Sequence, residues 1–150
     1  MKRATRLAPV KKIMDDVERR MAEQSAVAAR VLQGGEQKLQ DLLSYRDDYS
    51  HGFVRRAGQG IGAHDLVDYQ AFMRRLDVAI EQQTQIVDQL RSERDAQHRL
   101  WQQAAQRAKS MSHVMERWQI AEQLKVAKRE QREIDERAQR HSAARYERSQ

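Results

Sequence analysis

Apolar side chains recur along this chain at alternating steps of three and four residues, in two runs separated by a glycine cluster. The first run is Leu7, Val10, Met14, Val17, Met21, Ala28, Val31 and, after a gap, Leu42, Tyr45 and Tyr49. The second is Leu66, Tyr69, Met73, Leu76, Ile80, Val87 and Leu90, then Trp101, Ala104, Ala108, Met111, Met115 and Trp118. Such spacing, sustained this long, predicts helices packed along a narrow seam. Gly58-Gln59-Gly60-Ile61-Gly62 lies between the runs and is too short for a domain linker. The pattern predicts an all-α fold: one antiparallel two-helix coiled-coil hairpin over residues 1–150.

Helix one is expected over about 8–57, beginning near Pro9, because proline is tolerated in a first helical turn. Gly34 and Gly35 weaken that helix by about 1 kcal/mol each relative to alanine without breaking it. The turn covers about 58–64, with Gly58 supplying a left-handed cap. Helix two is expected over about 65–140, with Asp65 and Asp68 suited to its N-terminus, and a frayed tail follows. A reversal near residue 60 pairs positions whose numbers sum to about 121. Leu7 then faces Val114, and the chain beyond about residue 115 overhangs. The expected molecule is an extended rod on the order of 75–80 Å long at 1.5 Å per residue.

Composition agrees with an elongated form. Hydrophobic residues make up 39% of the chain, aromatic residues 5% and charged residues 33%, below the roughly half-apolar content of a compact globule. The net charge is +6, but basic and acidic residues interleave as on solvated helix faces, so no nucleic-acid partner is expected. The chain has no cysteine, which excludes disulfides and thiolate chemistry. No apolar run reaches the roughly 20 residues of a membrane span, and the basic start lacks a secretory core. A cytoplasmic protein without membrane insertion is expected.

Catalytic signals are lacking. The five histidines, His51, His64, His98, His113 and His141, show no metal-ligand spacing. The glycine cluster follows no strand and precedes no Lys-Thr pair, so it does not read as a phosphate cradle. No cofactor, metal or enzymatic activity is expected. The candidate site is instead a face beside the turn. In the sum-of-121 register Tyr49 meets Phe72, Tyr45 meets Leu76, Leu42 meets Ala79 and Lys38 meets Gln83. These rows form either a docking face for a protein or, if the supercoil turns them inward, part of the core. Trp101 reads as seam packing; for Trp118, packing and partner anchoring are both open.

The segments Leu42-Leu43-Ser44-Tyr45-Arg46-Asp47-Asp48-Tyr49 and Asp68-Tyr69-Gln70-Ala71-Phe72-Met73-Arg74-Arg75-Leu76-Asp77-Val78-Ala79-Ile80-Glu81-Gln82 resemble the FliJ family of the bacterial flagellar export apparatus. The resemblance implies a coiled coil similar to the central stalk of rotary ATPases. It also implies insertion of the paired termini into the hexameric flagellar export ATPase, with the turn-side face on the cytoplasmic domain of the membrane export gate. Export chaperones are further implied partners, at the cytoplasmic side of the inner membrane. The family's gate-binding surface maps onto Leu42, Tyr45, Tyr49, Phe72, Leu76 and Ala79, with Lys38 and Gln83 departing from its usual edge residues. Arg3, Arg6, Lys11, Arg129 and Arg132 are candidate contacts to the ATPase ring through complementary charge. The alternative from another class is a self-associating structural coiled-coil scaffold.

Overall fold

The computed structural model describes residues 3–150; Met1 and Lys2, the first two residues of the basic start, lie outside them. Two α-helices, α1 (Arg3–Ala57) and α2 (Ala63–Arg148), pack against each other, and the described residues contain no strand. Inter-helix contacts run antiparallel: Glu18 meets Trp101, Gly35 meets Gln83, and Arg46 meets Asp77. By internal contacts the chain divides into two units. One joins the N-terminal end, up to Val17, to Ala105–Gln150; the other is Glu18–Ala104.

One set of covered positions along each helix keeps a 3–4 alternation. On α1 they are Ala4, Leu7, Lys11, Met14, Glu18, Met21, Ser25, Ala28, Leu32, Gly35, Leu39, Leu42, Arg46, Tyr49 and Phe53. On α2 the alternation continues through Leu76, Ile80, Gln83, Val87, Leu90, Arg94, Gln97, Trp101 and Ala104 to Trp118. This is a 3.5-residue repeat, the periodicity that keeps one stripe of a helix against its partner. Val10, Val31 and Leu66, expected on the seam, are instead 39%, 49% and 42% exposed. The repeat passes through Lys11 and Leu32, and a reading that follows apolar identity slips by one residue where a polar side chain holds the seam, as at Lys11, or where two adjacent residues are both apolar, as at Val31 and Leu32.

In the Glu18–Ala104 unit the buried positions are Leu32, Leu76, Gln83, Val87 and Ala104, with Val87 1% exposed. The helices pack closely at Gly35. A Cβ there would lie 2.8 Å from Leu90 Cδ1, and Gln83 Nε2 donates to the Gly35 carbonyl at 3.0 Å. In the other unit Ala4, Ala108 and Met115 are buried. The small side chains at three of these positions let the backbones come near.

Three boundaries differ from the sequence expectation. The first is α1, which begins at Arg3 and carries Pro9 inside it. The carbonyl left without a donor is that of Thr5, and both residues are exposed, so water satisfies it. The second is α2, which continues to Arg148 rather than fraying from 140; its C-terminal stretch is rich in Ala, Gln, Glu and Arg, all good helix formers. The third is the turn, where Gly60, not Gly58, takes the left-handed conformation, with φ of 90°. Gly58 N–H still donates to Val54 O in helical fashion at 3.2 Å, and tight bonds from Gln59 to Arg56 and from Gly60 to Ala57 close the helix.

Gly34 and Gly35 separate two effects. A Cβ at Gly34 meets nothing within 4 Å, so Gly34→Ala should stabilise the fold by about 1 kcal/mol through helix propensity. Gly35→Val forces branched bulk against Leu90 and should destabilise by about 1–3 kcal/mol. Urea unfolding of both variants checks the contrast.

Candidate protein-docking site

Five of the chain's six tyrosines and phenylalanines gather beside the turn. Phe53 and Tyr69 stack with centroids 3.7 Å apart and planes 11° from parallel. Tyr69 stacks in turn on Tyr49 at 5.6 Å, Tyr49 tilts against Phe72 at 4.5 Å, and Tyr45 meets Phe72 edge-on at 6.0 Å. The ladder crosses between helices at each step because Tyr45, Tyr49 and Phe53 follow one another by four residues on α1. Tyr69 and Phe72 answer them from α2. Paired rings of this kind contribute about 0.5–1.5 kcal/mol beyond area burial. At its outer edge Arg46 Nε donates to Asp77 Oδ1 at 2.7 Å.

The residues expected to form one face divide by depth. Tyr45 is 53% exposed and Lys38 is exposed. Leu42, Tyr49, Phe72 and Ala79 are half-buried. Leu76 and Gln83 are buried in the seam, and the Gln83 amide is committed to Gly35. Phe53 and Tyr69 complete the ladder although neither was among the candidate site residues. Adding four to Tyr49 reaches Phe53, so the spacing held that signal.

The candidate ring contacts lie at the other end of the helices. Arg3 sits over the Trp118 ring, 5.6 Å from its centroid. Lys11 Nζ donates to Asp15 Oδ2, one turn on, at 2.8 Å, so its charge is partly occupied within α1. Arg6, Arg129 and Arg132 are exposed. From Gln123 to Arg148 every residue except Ala144 is exposed. Among the described residues no group of three His, Asp or Glu could hold a metal ion. No described helix is long and apolar enough to cross a membrane.

The family model described as "Flagellar FliJ protein" matches residues 1–147. The chain belongs to the FliJ family. It is 29% identical to the flagellar FliJ protein of Salmonella typhi over 129 residues, covering 86% of this chain and 85% of that protein. It is likewise 29% identical to the flagellar FliJ protein of Escherichia coli K12 over 111 residues, covering 74% and 76%. No solved structure matches the chain.

The depth of each ring sets its contribution to stability. Tyr69→Ala removes contacts to two rings at once and should destabilise by about 1–3 kcal/mol. Tyr45→Ala, at the exposed end of the ladder, should cost less than about 1 kcal/mol. Chemical denaturation followed by circular dichroism distinguishes them.

Proposed function

We propose that this chain is a non-enzymatic component of the bacterial flagellar type III protein export apparatus. Its paired N- and C-terminal segments insert into the hexameric export ATPase, and its turn-side face binds the cytoplasmic domain of the membrane export gate. Export chaperones bind the same protein. It works on the cytoplasmic side of the inner membrane, by docking rather than by chemistry. Membership of a flagellar family supports the setting. The observation that carries the docking face is the aromatic ladder, which fixes Tyr45 in a half-exposed position beside Leu42 and Lys38. Rigid aromatic side chains with one open edge are the usual anchors of protein interfaces.

Burial decides which variants test this reading. Leu76→Ala would hollow the seam, so loss of function there would report on folding. Tyr45→Ala combined with Lys38→Glu alters exposed groups only. In a strain lacking the native gene, this double variant should sharply reduce swimming in soft agar and secretion of flagellar proteins, with helicity and melting close to those of the parent chain. Full motility of the double variant would remove the turn-side face from the function.

A further inference from the structure

An apolar groove runs between the helices in the Glu18–Ala104 unit, lined by Val27, Ala28, Val31, Leu90 and Ala96, with Gln24 and Gln97 at one end. It is open, with a volume of about 610 Å³. Ile86 and Leu100 flank it, seven residues before and after the lining Glu93, and are 47% and 46% exposed. Gln97 Oε1 is buried there without a hydrogen-bond partner. A buried acceptor left unpaired costs about 1–3 kcal/mol, and a donor entering the groove would remove that cost.

The C-terminal part of α2 carries a matching element. Past Trp118 the seam positions turn charged, as Lys125, Arg129 and Arg132. A new apolar stripe, Ile120, Leu124, Ala127, Ile134 and Ala138, rises roughly opposite the seam at 100° per residue. Ile120, Leu124 and Ile134 are 52%, 57% and 57% exposed. Its only polar member is Gln131, whose amide gives one N–H to Asp135 at 3.0 Å and has a second to offer. The stripe repeats an earlier pattern 34 residues further on: Ile86, Leu90, Gln97, Leu100 and Ala104 recur as Ile120, Leu124, Gln131, Ile134 and Ala138. Leu90, Gln97 and Ala104 are the side chains that α2 turns toward α1.

We propose that the 120–138 segment of one copy lies in the groove of a second copy, parallel to that copy's α2 and antiparallel to its α1. Leu124 then sits beside Leu90 and Val31, and Gln131 reaches Gln97 and Gln24, forming a glutamine layer that fixes the register. A single polar layer within an apolar helix interface is the device that sets alignment in coiled coils. The same register puts Asp135, which borders the stripe, level with Arg20 in the groove lining, an opposite-charge pair. The contact joins different surfaces of the two copies, so assembly extends head to tail. It is independent of the export reading, because its readout is association of the purified chain.

Sedimentation velocity over a rising concentration series tests this. The parent chain should form species that grow with concentration. Leu124→Glu with Ile134→Glu should sediment as a monomer, and so should Val27→Glu with Val31→Glu. All four positions are exposed, so helicity should hold. An equimolar mixture of the two variants should yield dimers and nothing larger, because it retains one intact groove and one intact stripe. The chain has no native cysteine, so register is read by oxidative cross-linking. Val31→Cys chains should couple to Leu124→Cys chains and far less to Ile134→Cys chains, whose thiol lies about 15 Å further along. A parent chain monomeric throughout, variants that still assemble, a mixture that stays monomeric, or cross-linking without preference would each overturn the proposal.

Discussion

The seam between α1 and α2 is the constraint from which the other features follow. Its 3.5-residue repeat is kept along both helices even where the residue on it is Lys11, Glu18, Arg46, Gln83 or Gln97. A seam this mixed is held by more than apolar area. Gly35 admits Leu90 and receives the Gln83 amide, while Trp101 Nε1 donates to Glu18 Oε1 at 2.8 Å. Glu18, Arg46 and Gln83 bond across the seam in one alignment, and sliding either helix would strand them. Polar seam positions trade stability for a single register. Exposed ion pairs such as Arg91–Glu36 add little to this.

The aromatic ladder is the other consequence of that alignment. Rings spaced by four on α1 interleave with rings from α2 only because the register brings Tyr49 onto Phe72. The cluster stiffens the helices beside a turn whose backbone is held by just a few bonds around Gly60. It also leaves Tyr45 at the rim, supported from below. A docking residue held in this way loses little side-chain freedom on binding, which is how preorganised surfaces gain affinity.

Much of this was legible in the chain itself. Apolar spacing and one glycine cluster sufficed for two antiparallel helices, for the place of reversal and for the pairing of Tyr49 with Phe72. Details were lost where residue type did not fix the step: Val10 looked like a seam member because Lys11 did not, and after Ala28 both Val31 and Leu32 are apolar. The candidate face suffered the same one-residue ambiguity, which separates Tyr45, pointing outward, from Leu76 and Gln83, pointing inward. Pro9 misled in another way. A proline breaks a helix less when the orphaned carbonyl is wet, and exposure of Thr5 is a property of the fold and not of the local sequence. The left-handed residue of the turn depends on how the last helical bonds close, which three nearby glycines leave open.

The two tryptophans divide between the two units. Trp101 is held against the Glu18 carboxylate in one, and Trp118 lies beneath Arg3 in the other. Replacing either by phenylalanine leaves a single indole chromophore in a defined half of the molecule. Fluorescence can therefore follow the opening of each half separately, and show whether the ends come apart while the turn-side half stays closed.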